Sequence, residues 1–67
     1  MLTSMGKIVM YDPHTNKGVV YVCRRHLTFN YSDLYLSNVK FIYINKWVNI
    51  TFDNDTDEVV SITDTEF

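Results

Sequence analysis

The segment Lys17-Gly18-Val19-Val20-Tyr21-Val22 has the composition of a β-strand, because β-branched and aromatic residues suit a pleated, half-buried backbone. Successive strand side chains point to opposite faces, so Val20 and Val22 are predicted to face a core. Val19 and Tyr21 are then predicted to face outward. We expect the second strand of the chain to span Val19–Arg24.

Four further segments alternate in the same way. They are predicted to be strands and span Lys7–Tyr11, Leu27–Tyr31, Trp47–Phe52 and Glu58–Thr63. The clearest alternation places Val48, Ile50 and Phe52 on one face and Trp47 on the other. In the third strand Leu27 and Phe29 are predicted to lie opposite Thr28 and Asn30, and in the last strand Val60 and Ile62 are predicted to face the same way.

Turn-forming residues separate these strands. Residues 12–18, which include Pro13, Asn16 and Gly18, suit a turn because proline fixes φ and asparagine or glycine tolerates left-handed backbone. Arg24-Arg25-His26 and Asp53-Asn54-Asp55-Thr56 are predicted to be the next two turns.

Residues 32–44 are open to more than one interpretation. Ser32 is predicted to cap a short turn of helix. Val39–Ile44 has strand composition, and the alternative is an extended connection.

Five short strands without a long helix predict a sandwich or barrel. A chain of 67 residues is long enough for one domain, which we place at residues 1–67. In a domain of this size, a closed or nearly closed barrel leaves the fewest strand edges unpaired. The predicted fold class is therefore all-β, a small five-stranded antiparallel OB-fold barrel.

Composition predicts a protein of a reducing compartment that does not cross a membrane. Cys23 is the only cysteine, which excludes an intrachain disulfide and predicts a cytoplasmic location. We expect neither a secretory signal nor a membrane segment. The net charge is −2, but residues 1–52 carry six basic and two acidic residues, a balance of +4, whereas residues 53–67 carry six acids and no base. This uneven distribution of charge along the chain is compatible with a mildly positive surface at one end of the molecule.

The segments Gly6-Lys7-Ile8-Val9 and Lys17-Gly18-Val19-Val20-Tyr21-Val22 resemble the first two strands of the cold-shock domain family. Leu27-Thr28-Phe29-Asn30-Tyr31-Ser32 is similar to the family's third-strand motif. The resemblance covers residues 5–64 and rests on the order and spacing of the strands and on Lys17-Gly18. It implies a cold-shock-like barrel that binds single-stranded RNA or DNA on an outer sheet face, weakly and in a regulatory role.

In that family, exposed aromatic residues of the first three strands stack on bases, each worth about 1–3 kcal/mol, and lysines neutralise phosphates. The positions that correspond to the stacking residues are Met10, Tyr11, Val19, Tyr21, Thr28, Asn30 and Tyr31. The resemblance assigns phosphate contacts to Lys7, Lys17 and Arg25. Of the stacking positions only the three tyrosines are aromatic, so this interpretation expects their rings to project outward together.

A protein-interaction module is the alternative function. Phe41, Tyr43 and Trp47 belong to a stretch, residues 35–47, that is more apolar than a small barrel can cover. Such a stretch suits a homodimer contact or a protein partner. The chain would then be a small inhibitor or regulator on a degenerate OB fold, of the kind that a phage or mobile element encodes.

Catalysis and cofactor binding are not expected. His14, Cys23 and His26 lack the spacing of a zinc site, and no third group orients Cys23 and His26 as a nucleophilic pair. The acidic residues 53–64 lack the glycine and the terminal glutamate of a calcium loop. We therefore expect a binding protein without a metal or cofactor.

Overall fold

The computed structural model describes residues 1–34 and 38–65. Its strands are β1 (Leu2–Asp12), β2 (Lys17–Val22), β3 (Arg25–Asn30), β4 (Trp47–Phe52) and β5 (Val59–Asp64). They form one antiparallel sheet in the order β3-β2-β1-β4-β5, strongly curled into a half-barrel. The predicted fold class, all-β with five antiparallel strands in a small OB-like barrel, is confirmed.

Strand β1 is long because both halves of the sheet are built on it. Residues Leu2–Lys7 pair with β4, and Lys7–Asp12 pair with β2. The register shifts between Ile8 and Met10, which marks a β-bulge, and bulges let a sheet bend into a barrel. Gly6 fits the close approach of the strands here, since an added Cβ would lie 3.0 Å from the Tyr21 carbonyl oxygen.

The core fills the inside of this curl. Among the residues that the structure describes, ten apolar side chains are buried: Ile8, Val20, Val22, Leu27, Phe29, Val48, Ile50, Phe52, Val59 and Ile62. The side chains predicted to share one face in the second, third and fourth strands do so, and the structure places that face in the core. In β5 the prediction is wrong for Val60, because a register shift opposite Thr51 and Phe52 leaves Val59, with Ile62, in the core.

The turn between β1 and β2 is shorter than the predicted residues 12–18, because Asp12 ends β1 and Lys17 begins β2. The two residues expected to tolerate left-handed backbone also behave differently. Asn16 has φ 60°, whereas Gly18 has a negative φ and is buried within β2. Gly18 is needed for space, because a Cβ there would lie 2.6 Å from the Met10 carbonyl oxygen and 2.7 Å from Phe29 Cζ.

Strand β2 begins and ends two residues earlier than the predicted Val19–Arg24, and the turn between β2 and β3 begins one residue earlier than predicted. Val22 pairs with Arg25, so Cys23 and Arg24 form a two-residue hairpin loop with φ 51° and 63°. Arg25 and His26 belong to β3 instead of the turn. The predicted cluster Arg24-Arg25-His26 is thereby split between a loop and a strand.

A 3-10 helix, Tyr31–Asp33, follows β3. Its cap is Asn30, whose Oδ1 accepts a hydrogen bond from the Ser32 amide at 3.0 Å, so the prediction of Ser32 as the cap is wrong. Further along, Asn38 forms an isolated parallel bridge to Thr63, and residues 39–44 form an irregular connection with a bend at Lys40 instead of a strand. Throughout the described ranges no helix has the length and apolar character needed to cross a membrane.

Candidate functional site

The strand register places four side chains in one row across the outer face of the sheet. Trp47 of β4 pairs with Lys7 of β1, Lys7 pairs with Tyr21 of β2, and Tyr21 pairs with His26 of β3. We call these four residues the outer row. Their neighbours along each strand, such as Ile8, Val20, Leu27 and Val48, are buried, so alternation turns the outer row away from the core.

The outer row combines aromatic rings with the ammonium group of Lys7. Tyr21 is 40% exposed and Trp47 is 52% exposed. The Tyr21 and His26 rings contact each other with centroids 4.8 Å apart, and Lys7 Nζ lies 5.7 Å from the centre of the Trp47 ring. The predicted outer position of Trp47 is confirmed. Aromatic surface therefore flanks a lysine on both sides.

A second row lies beside the first on β1, β2 and β3. Met10 pairs with Val19, and Val19 pairs with Thr28. Together with Lys17 and Asn30, these residues line an open pocket of about 590 Å³. Six of the ten residues predicted to bind nucleic acid line this pocket: Met10, Tyr11, Lys17, Val19, Thr28 and Asn30.

The three tyrosine rings do not project outward together, and the expectation is corrected for two of them. Tyr11 is half-buried against the core, its ring stacked 6.1 Å from that of Phe29 and its hydroxyl donating to Asn16 Oδ1 at 2.9 Å. The bulge after Ile8 reverses the phase of β1, which turns Met10 outward and Tyr11 inward.

Tyr31 is also half-buried against the core. Its hydroxyl accepts a hydrogen bond from the Val39 amide at 3.2 Å and donates to the Val39 carbonyl at 3.3 Å. The residue lies in the 3-10 helix beyond the end of β3, so strand alternation does not set its direction. Tyr21 is thus the one tyrosine of the three whose ring lies on the open face.

Arg25 is turned toward the acidic turn between β4 and β5. Its guanidinium pairs with the carboxylate of Asp57, donates to the Asn54 side-chain oxygen and lies 5.6 Å from the centre of the Phe52 ring. These contacts direct Arg25 away from the outer row, so the geometry does not favour the predicted phosphate contact. Among the described residues, four other basic side chains have no ion pair: Lys7, Lys17, Arg24 and Lys40.

The acidic residues are held by local partners. The amides of Asp55 and Thr56 donate to Asp53 Oδ1 at 2.8 and 3.3 Å and lower the pKa of the Asp53 carboxyl. Lys46 Nζ lies 2.8 Å from Asp64 Oδ1 and lowers the pKa of Asp64. Arg25 neutralises part of the negative charge of residues 53–57 through its pair with Asp57.

Two of the three predicted protein-contact residues, Phe41 and Tyr43, lie on a separate exposed segment next to the outer row, whereas Trp47 belongs to that row. Phe41 is 72% exposed, Tyr43 is 57% exposed, and Ile44 is exposed as well. Lys46 Nζ fixes this segment by donating to the Phe41 carbonyl at 2.6 Å, and it lies 5.2 Å from the centre of the Tyr43 ring. An open pocket of about 490 Å³ runs between this segment and Trp47. Tyr35 and Leu36, part of the predicted contact stretch, lie outside the described residues.

No metal-binding cluster is present within residues 1–34 and 38–65. Cys23 is exposed in the β2–β3 loop, and no cluster of three histidine, cysteine or acidic side chains in these ranges has metal-site geometry. His26, which was predicted to lie in a turn, belongs to β3 and to the outer row. The strand periodicity of Leu27 and Phe29, extended one residue backward, would have placed it there.

Comparison with known proteins adds no identification. No family model matches the sequence, and neither curated proteins nor solved structures give a significant match. The resemblance to the cold-shock domain family therefore stays a prediction.

Proposed function

We propose that this protein binds single-stranded RNA or DNA weakly through the outer face of β1, β2 and β3, as a cold-shock-like regulator. The observation that carries the proposal is the register of Lys7, Tyr21 and His26, which places a cation, an exposed aromatic ring and an imidazole side by side on three neighbouring strands. This arrangement replaces the three-tyrosine surface expected from the sequence.

The chemistry of this face suits a single strand better than a duplex. Every base has a flat π face, so a ring such as that of Tyr21 stacks on any base, with about 1–3 kcal/mol per stack. Lys7 and Lys17 make no ion pair with the described residues and are free to contact phosphates. Met10 and Val19 add apolar surface beside the ring. With one tyrosine instead of several aromatic residues on these three strands, we expect weak and strongly salt-dependent binding.

Titration of a fluorescein-labelled oligo-dT at two salt concentrations tests the proposal. Tyr21→Ala is expected to weaken binding by about 1–3 kcal/mol, because one base loses its stacking partner. Tyr43→Ala is the matched control, since Tyr43 is an exposed tyrosine off the sheet and its loss is expected to leave oligonucleotide affinity unchanged. Absence of binding by the wild-type protein at low salt would eliminate the proposal.

A second candidate function is a protein contact, for which we favour a second copy of this chain. Its motivation is the exposure of Phe41, Tyr43 and Ile44 on one short segment. Sedimentation of the wild-type protein is expected to show a dimer that the double variant Phe41→Ser/Tyr43→Ser dissociates. A monomer at high concentration would rule out this candidate.

A further inference from the structure

The outer row does not stop at the three strands of the proposed site. Lys7 pairs with Tyr21 on one side and with Trp47 on the other, so the row continues onto β4. From this register we infer that Trp47 is an additional base-stacking position and that a single strand crosses the sheet from His26 to Trp47. The inference rests on the proposed function and extends its site by one strand.

The spacing along the row supports this path. Neighbouring strands are about 4.8 Å apart, so the backbone positions of Tyr21 and Trp47 are separated by roughly 10 Å. Lys7 lies between them, with its ammonium group over the Trp47 ring at 5.7 Å. A strand whose bases stack on the two rings would place the intervening phosphates near this ammonium group. The four residues of the row include no carboxylate that would oppose such a path.

The exposure of Trp47 has a competing explanation, namely that it belongs to the neighbouring contact segment. Two observations favour the stacking role. Trp47 is a residue of β4 in register with Lys7, whereas Phe41, Tyr43 and Ile44 belong to the connection before that strand. The Lys7 ammonium group also lies over the Trp47 ring. This pairing matches the mixed aromatic and basic character of sites for single-stranded nucleic acid.

The chain supplies its own probe for this inference, because Trp47 is the only tryptophan. Addition of oligo-dT is expected to quench tryptophan fluorescence, with a saturation curve that gives the same Kd as the anisotropy of a labelled oligo-dT. Trp47→Ala is expected to weaken binding between about fivefold and about 150-fold, the range of one lost base stack. Trp47→Phe, which keeps a ring, is expected to restore most of the affinity.

Met5→Ala is the matched control. Met5 is 46% exposed and pairs with Asn49, one position further along the same outer face. Its truncation removes apolar surface without removing a ring, and the affinity is expected to change less than twofold. Far-UV circular dichroism verifies that each variant is folded.

The outcomes separate this inference from the proposed function. Oligo-dT binding that is weakened by Tyr21→Ala, but neither quenches Trp47 nor responds to Trp47→Ala, overturns the inference and leaves the proposed function intact. Failure of the wild-type protein to bind oligo-dT at low salt overturns both. Quenching together with a loss in Trp47→Ala that Trp47→Phe restores supports the extended site.

Discussion

Asn16 forms hydrogen bonds with the Tyr11 hydroxyl and with the Tyr31 backbone amide, and so helps to hold both tyrosines in place. Its Oδ1 accepts from the Tyr11 hydroxyl at 2.9 Å, its carbonyl accepts from the Tyr31 amide at 2.7 Å, and its side-chain amide donates to Ser32 Oγ at 3.0 Å. One turn residue therefore connects β1 to the 3-10 helix that follows β3. Tyr11 and Tyr31 are used in that connection, which leaves Tyr21 for the open face.

The structural use of Tyr31 gives a prediction at the residue scale. Tyr31→Phe removes two hydrogen bonds to Val39 and is expected to lower the free energy of unfolding by about 1 kcal/mol. Oligonucleotide affinity is expected to stay within twofold of the wild-type value. Tyr21→Phe is the control, and urea denaturation should show no loss of stability. Unchanged stability of Tyr31→Phe would contradict this assignment.

Asp64 gives a prediction about pH. The ion pair with Lys46 and the amide of Lys40 hold its pKa below the usual range. A depressed folded-state pKa contributes stability that is full at neutral pH and is lost as the pH falls below about 4. Asp64→Asn is therefore expected to lose less stability between pH 7 and pH 3 than the wild-type protein does.

Urea denaturation at the two pH values measures this difference. Asp33→Asn serves as the control, because Asp33 is exposed and makes no ion pair with the described residues. It is expected to keep the wild-type acid sensitivity. Equal acid sensitivity of Asp64→Asn and wild type would show that the Lys46 pair contributes nothing.

At the scale of elements, the β2–β3 hairpin contains unfavourable turn residues. Two-residue hairpin loops with positive φ at both positions favour Asn-Gly, yet Cys23 and Arg24 hold these positions. The double variant Cys23→Asn/Arg24→Gly is expected to raise the free energy of unfolding by about 1 kcal/mol, since left-handed backbone is unfavourable for residues with a Cβ. Thermal and urea unfolding measure the change, and Arg24→Gly alone should give part of it. A lower unfolding midpoint for the double variant would contradict the assigned loop geometry.

The elements also show how far the sequence predicts this protein. The strand Trp47–Phe52 is confirmed with its bounds, because one buried face gives it clean alternation. Met10, Tyr11 and Val60 lie near register shifts, which alternation along one strand does not reveal, since a shift depends on the partner strand. His26 was missed for a related reason: the hairpin loop lacks the glycine or asparagine that usually marks such turns.

At the scale of the whole molecule, charge and burial divide the surface into three regions. The outer row carries rings and Lys7, the turn at residues 53–57 carries acids partly paired with Arg25, and residues 41–44 expose apolar side chains. The acidic turn thus follows the end of β4 opposite to Trp47. This separation makes the two proposed functions distinguishable, because each depends on a different region.

Backbone and tryptophan side-chain NMR shifts during titration with oligo-dT at low salt test the central claim most directly. The account predicts shift changes concentrated at Lys7, Tyr21, His26 and Trp47, with smaller changes at Met10 and Val19 and none at the acidic turn. Changes confined to residues 41–44, or spectra that stay the same at saturating oligo-dT, would contradict it.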